Sequence, residues 1–236
     1  MLCSRGLSPS TVTIRVKRIK GGQKKVLFLP GYGMEFDQPG VKWLMEGFRG
    51  RCDATFVTFS TEFSDHEGEL IHPCRDLLSK DTYDELVGFS LGGLVVAYLN
   101  GFERRVFISP FWGINPRLVN IWTRTAVRGM ARFRIKLVPR NFAISDAGHY
   151  AVEEDLKGMP IFLDARTIEE MAKAQEGLPP PEKGDAGIYC PDDMVMDPSL
   201  VEKRVKEAYR YNGGHMFHLV KDRERNMEVL YKYLEV

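Results

Sequence analysis

The five residues Gly88-Phe89-Ser90-Leu91-Gly92 follow the short run Glu85-Leu86-Val87 and lead straight into a helix-compatible stretch, Leu91 to Leu99. A strand that turns at once into a helix around a serine leaves the chain few options. The two elements approach closely, so there is no room for bulk two residues to either side of the serine, and the dihedrals at the turn are unfavourable for a residue with a Cβ. Gly88 and Gly92 supply the missing bulk. Such a pentapeptide arises by chance in about one chain in ten of this length, so its weight comes from what surrounds it.

The surroundings alternate strand with helix. Thr11 to Val16 alternates polar and apolar residues, as a half-buried edge strand does, and Gly21-Gly22 reads as a turn. Val26-Leu27-Phe28-Leu29 is continuously apolar between Lys24-Lys25 and Pro30-Gly31, the pattern of a strand buried on both faces of a parallel sheet. A helix near Pro39–Phe48, a strand at Ala54–Phe59, a helix at Glu67–Leu78 and the strand leading into Ser90 follow in turn. Arg105–Ser109 and Ala186–Cys190 give further strands, Glu207–Tyr211 a shorter candidate, and Lys221–Leu234 the last helix. This order implies an α/β fold, a mostly parallel central sheet flanked by helices. The alternation lapses between residues 111 and 180, which read as a small helical lid inserted between core strands. The expected organisation is a core of 1–110 and 181–236 with a lid of 111–180. Within the lid, Asp164 before Ala165-Arg166-Thr167-Ile168 fits a helix N-cap, with Glu169 and Glu170 near the positive end of the dipole.

The chain has 236 residues, 44% hydrophobic and 28% charged, enough for one α/β domain with a full core. A formal net charge of +1 argues against a general nucleic-acid binder. Residues 1–22 hold no apolar core of signal-peptide length, and no stretch reaches the roughly 18 apolar residues of a membrane span, so a cytoplasmic protein is expected. Cys3, Cys52, Cys74 and Cys190 form no C-x-x-C pair and read as free thiols. No metal or organic cofactor is implied. Six Asn and three Gln beside many ionisable residues match a bias of proteins from hot environments.

A hydroxyl is a poor nucleophile at neutral pH and needs a base, itself oriented by a carboxylate. Of five histidines, His215 in Asn212-Gly213-Gly214-His215 sits between a short strand and the final helix, where a loop at the carboxyl edge of the sheet carries it toward Ser90. His218 falls in a segment turning apolar and reads as a residue that packs or caps the last helix. His66 and His72 lie in a polar helix region expected to be exposed, and His149 lies in the lid. For the carboxylate, the strand ending at Cys190 feeds Pro191-Asp192-Asp193; spacing alone does not separate Asp192 from Asp193.

The order Ser90, then Asp192 or Asp193, then His215 is that of the α/β-hydrolase superfamily. From about residue 11 to 236 the chain resembles that superfamily, most closely the small-lid carboxylesterases and the monoacylglycerol-lipase-like enzymes. The resemblance implies Ser90 as nucleophile, His215 as general base and, because the acid precedes a short x-Val-x stretch, Asp193 before Met194-Val195-Met196 as the third member. It also implies an oxyanion hole from the backbone amides of Leu91 and of Tyr32, the latter in Leu29-Pro30-Gly31-Tyr32-Gly33, where Pro30 stands in place of the usual histidine. The implied activity is carboxylic ester hydrolysis through an acyl-serine, with an acyl thioesterase using the same triad or an inactive interaction protein on the same fold as alternatives. Tyr32, Phe111, Trp112 and Trp122 are candidate substrate-pocket walls. The lid carries Arg117, Arg124, Arg128, Arg132, Arg134, Lys136 and Arg140 without an acid between Phe111 and Ser145, a basic face suited to weak contact with anionic surfaces or substrates.

Overall fold

The structure is a computed structural model, and it describes residues 14–116, 129–130, 138–139, 148–158 and 162–236. The elements in its first half are β1 (Arg15–Ile19), β2 (Lys25–Leu29), α1 (Pro39–Gly47), β3 (Asp53–Thr58), α2 (His72–Lys80), β4 (Glu85–Phe89), α3 (Leu91–Ala97) and β5 (Arg104–Ile108). There follow β6 (Val138–Pro139), β7 (Phe162–Leu163), α4 (Ala165–Glu176), β8 (Asp185–Tyr189), α5 (Pro198–Arg204), β9 (Glu207–Arg210) and α6 (Arg223–Leu234).

Seven strands form one sheet in the order β1-β3-β2-β4-β5-β8-β9. All neighbours are parallel except β1, which runs antiparallel to β3 at one edge. Period-two alternation in the central strands separates two apolar cores. Val26 and Phe28, Val87 and Phe89, Val106 and Ile108, and Ala186 and Ile188 face the layer of α1 and α6. Leu27 and Leu29, Leu86, Phe107 and Tyr189 face the layer of α2, α3 and α4. Strands buried on both faces are why these segments read as unbroken apolar runs. In the α1 layer, Phe28 stacks on Phe56 with ring centroids 4.9 Å apart, and Phe48 meets both edge-on.

Three local features depart from the simple sequence reading. The helix expected from Glu67 begins as a π-helical turn, Glu67–Ile71, before α2. Pro73 has no N–H to return to Glu69 and its ring crowds that carbonyl, so the wider turn replaces the α pattern there. Helix α5 was not anticipated, although Asp197 caps it by accepting from the Ser199 amide at 3.0 Å and Pro198 opens it. The third is the small β6–β7 pair between β5 and β8. Asp164 caps α4, accepting from the Arg166 amide at 2.8 Å.

Candidate functional site

Three loops at the carboxyl ends of β4, β8 and β9 meet over the sheet. Ser90, at the β4–α3 junction, has φ 51° and ψ −115°, a strained conformation for a residue with a side chain. The close approach of the two elements imposes it: a Cβ at Gly92 would collide with the Leu29 carbonyl, and one at Gly88 would lie 2.6 Å from the backbone of Gly92 and Gly93. Four backbone bonds hold the turn. The Ser90 amide donates to Ile108 O at 3.0 Å, the Ser90 carbonyl accepts from Leu94 and Phe111, and the Gly92 amide donates to Pro30 O.

His215 reaches Ser90 from the loop after β9, where Gly213 and Gly214 adopt φ of 111° and 108°, values that an L side chain rarely takes. Its Nε2 lies 2.8 Å from Ser90 Oγ, and its Nδ1 lies 2.7 Å from Asp193 Oδ2. Asp193 is 1% exposed, whereas Asp192 beside it is exposed. The second oxygen of Asp193 accepts from the Val195 and Met196 amides at 2.8 and 3.1 Å. Burial alone would raise this carboxyl's pKa; the His215 charge and hydrogen bond, with the two amides, outweigh it and hold the group below its ordinary value. The line Ser90, His215, Asp193 thus places an imidazole between a hydroxyl and an ionised carboxylate.

Hydrogen bonds from neighbouring side chains fix these groups. Tyr211 donates its phenol to the His215 carbonyl at 2.9 Å and pairs with Ser109 Oγ at 2.9 Å. Asn115 donates its side-chain amide to Asp193 O at 2.7 Å, and the Asp197 amide donates to Gly113 O. Phe89 lies 5.3 Å from the His215 ring. Sequence reasoning singled out none of Ser109, Asn115 or Tyr211; the only local signal was that Ser109 and Tyr211 directly follow strand ends. His218 packs as expected: it is 2% exposed among Phe89 and Phe217, and burial first, then the His215 and Arg223 charges, drives its pKa down to about 3.

The loop after β2 lies directly against Ser90, since a Cβ on Gly31 would come within 3.2 Å of the Ser90 Cβ. Gln38 braces this loop by donating to Gly33 O and accepting from the Glu35 amide. Leu91 is the first residue of α3, and Tyr32 follows Gly31; neither amide donates to an acceptor among the described residues. The Tyr32 phenol donates to Thr61 O at 2.5 Å. Phe111 is half-buried beside the turn. Trp112 is 4% exposed and packs on Phe107 within the core, its indole N–H on Gly93 O, which gives it the surroundings of a core residue rather than of an open wall. Trp122 and the basic residues Arg117, Arg124, Arg128, Arg132, Arg134, Lys136 and Arg140 lie outside the described residues. His66, expected to be exposed, is instead half-buried with Nδ1 2.9 Å from Glu170 Oε2, a partner that α4 brings from a distant part of the chain.

Solved structures resemble this architecture over nearly its whole length. A soluble variant of monoglyceride lipase from Saccharomyces cerevisiae, in complex with a substrate analogue, superposes with a TM-score of 0.75 at 13% identity, covering 97% of this chain and 93% of that one. An α/β hydrolase fold protein from Burkholderia ambifaria gives 0.64 at 13% identity, covering 98% of each. This chain has the α/β-hydrolase fold. The monoacylglycerol lipase of Paleococcus ferrophilus shares it with a TM-score of 0.69 at 11% identity, over 94% of this chain and 98% of that one. No family model and no curated protein sequence matches the chain. In this α/β-hydrolase fold, no helix among the described residues is long and apolar enough to cross a membrane.

Proposed function

We propose that this protein is a serine hydrolase that cleaves carboxylic esters through a covalent acyl-serine. The observation that carries the reading is the hydrogen-bonded line from Ser90 Oγ through His215 to the buried Asp193, at 2.8 and 2.7 Å, on a strained turn between β4 and α3. In this reading His215 Nε2 takes the Ser90 proton as Oγ forms a bond to the ester carbonyl carbon. The resulting oxyanion sits between the Leu91 and Tyr32 amides, each worth about 3 to 4 kcal/mol to the transition state. Collapse breaks the bond to the alcohol oxygen, which leaves with the proton from His215. Water then enters, gives its proton to His215, and attacks the acyl-serine; breaking the Oγ–carbon bond releases the acid and returns the proton to Ser90. Asp193 holds the Nδ1–H tautomer and stabilises the imidazolium formed in each half. Esters are the favoured substrates because nitrogen leaving groups are harder to expel by this route. Helix α4 belongs to the segment 111–180 that is read as a cap.

The two monoacylglycerol lipases among the structural neighbours are consistent with an acyl ester as the substrate class. A fluorophosphonate probe tests the reading. The protein should be labelled at Ser90 and should hydrolyse nitrophenyl esters, and Ser90→Ala should do neither. Labelling that persists in Ser90→Ala would show that the nucleophile lies elsewhere.

A further inference from the structure

His215 stands on a loop whose sequence does little to hold it still. Gly213 and Gly214, both at positive φ, come directly before it, and glycine has more backbone freedom to lose than any other residue. Two bonds reach the His215 carbonyl, one from the Phe217 amide at 3.1 Å and one from the Tyr211 phenol at 2.9 Å. Phe217 lies in the same loop, so its bond travels with His215. Tyr211 is anchored to the sheet: it directly follows β9, and its amide extends the ladder by donating to Tyr189 O of β8 at 2.9 Å. Its phenol therefore closes residues 211–215 onto the strand ends.

The direction of that bond is fixed as well. Tyr211 is 2% exposed and Ser109 fully buried. A phenol has one hydrogen and a carbonyl can only accept, so the Tyr211 proton goes to His215 O and the Ser109 hydroxyl, 2.9 Å away, donates to the phenol oxygen. Burial first, and then the Asp193 charge, push the phenol's pKa well above its ordinary value, which keeps it a neutral donor.

We propose that Tyr211 is a positioning residue for the reaction: its hydroxyl, aimed by Ser109, holds His215 where Nε2 meets Ser90 Oγ and Nδ1 meets Asp193 at the same time. The proposal rests on the ester-hydrolase reading above and adds to it two residues that touch no reacting atom. In Tyr211→Phe the ring still fills its place, but the loop is free to drift, and a displacement of about 1 Å at a reacting group can cost about a hundredfold in rate. The loss falls on the proton-transfer steps, hence on kcat rather than on KM.

The test measures kcat and KM for nitrophenyl butyrate in the wild type, Tyr211→Phe, Ser109→Ala, the double variant and Tyr231→Phe, with thermal melts and rates of labelling by a small methyl fluorophosphonate. Tyr231→Phe is the matched control, because that phenol also donates to a backbone carbonyl, Gly47 O at 2.6 Å, but between α6 and α1. Tyr211→Phe should lose about tenfold to a hundredfold in kcat and in labelling rate, with KM within about twofold of wild type. Ser109→Ala should lose less in the same direction, and the double variant no more than Tyr211→Phe alone, since Ser109 acts through the hydroxyl already removed. Tyr231→Phe should lose stability and keep the wild-type kcat. In proton NMR, the downfield signal of the His215 Nδ1–H held against Asp193 should broaden or vanish in folded Tyr211→Phe and persist in Tyr231→Phe, a change that lost stability alone does not produce.

A Tyr211→Phe enzyme within about twofold of wild type in kcat, a double variant whose losses add, or an equal kcat loss in Tyr231→Phe would overturn the proposal while leaving the ester hydrolase intact. If Tyr211→Phe does not fold, Ser109→Ala decides: a fall in kcat at unchanged KM upholds the proposal, and a wild-type kcat overturns it. A wild type neither labelled nor active would overturn both readings.

Discussion

Replacing Asp193 by Asn should lower turnover by about four orders of magnitude while leaving the protein folded, and the local hydrogen bonding says why. Asp193 Oδ1 accepts two backbone amides, from Val195 and Met196, and Oδ2 faces His215 Nδ1. An Asn amide has one acceptor oxygen. Turning its NH₂ toward the two backbone amides would leave buried donors facing donors, so the oxygen stays at the Oδ1 position and the NH₂ falls against His215. Nδ1 must then accept, the imidazole proton moves to Nε2, and Ser90 faces a donor where it needs a base. The charge is lost as well. An imidazolium and a carboxylate 2.7 Å apart, both buried, attract by about 6 kcal/mol at an effective dielectric of about 20. At about 1.4 kcal/mol per decade that corresponds to about 10⁴ in rate. The assay is kcat/KM on a short nitrophenyl ester, with a thermal melt as the control for folding and Asp192→Asn as the matched exposed neighbour, which should lose less than about threefold. A larger loss in Asp192→Asn, or an Asp193→Asn enzyme within about tenfold of wild type, would refute the assignment of the carboxylate.

Three further outcomes follow from other parts of the molecule. His218 stays neutral in the fold down to a pKa of about 3, whereas in the unfolded chain it takes a proton below about 6.5, so stability should fall by up to about 1.4 kcal/mol per pH unit between those values as pH drops. Urea melts of His218→Phe at pH 7 and pH 5 should show a smaller acid loss than wild type by about 2 kcal/mol, and an identical loss would remove His218 as the cause. Ser90→Gly should melt above Ser90→Ala, because glycine relieves a φ of 51° that alanine retains; the strain of about 1 to 3 kcal/mol exceeds glycine's extra chain entropy of about 0.5 to 1 kcal/mol. The reverse order would mean the turn is not strained. Arg105 and Asp185, 1% and 5% exposed, pair through two bonds of 2.7 Å. Asp185→Asn should cost about 3 to 5 kcal/mol in chemical denaturation by stranding a buried guanidinium, and a cost below about 1 kcal/mol would show that the pair is solvated.

What the sequence made legible was whatever a local pattern encodes. The central strands are buried on both faces, so each appears as an unbroken apolar run, and the glycine-flanked serine appears as a strand meeting a helix. Contacts between distant segments were invisible. His66 looked like a solvated residue of a polar helix because Glu170, 104 positions later, is its partner; Arg105 looked like an ordinary strand residue because Asp185 is 80 positions away. Asp192 and Asp193 are equivalent by spacing, and only the turn after β8 decides which of them faces inward. Pro73 was visible, but its effect depends on which carbonyl it displaces, and that becomes apparent only once the helix has formed around it. The π turn it produces carries Leu70 and Ile71 into the apolar core shared with α3.

The strained turn and the reach of His215 have a common support. Ser90 and Ser109 end adjacent parallel strands, and both adopt positive φ, 51° and 37°. The Ser90 amide is bonded to Ile108, just before Ser109, and the Ser109 amide to Ile188 at the end of the next strand. Ser109 Oγ then joins Tyr211, which holds the His215 backbone. Each strained residue is thus fixed by its neighbour's strand end, and the last link returns to the imidazole that faces the first serine. Strain of this kind persists only where the surroundings over-determine it, and here the restraint that keeps Ser90 in an unfavourable conformation is continuous with the one that aims His215 at it. Loosening Tyr211 would therefore act on the base and the nucleophile together, although the phenol touches neither reacting atom.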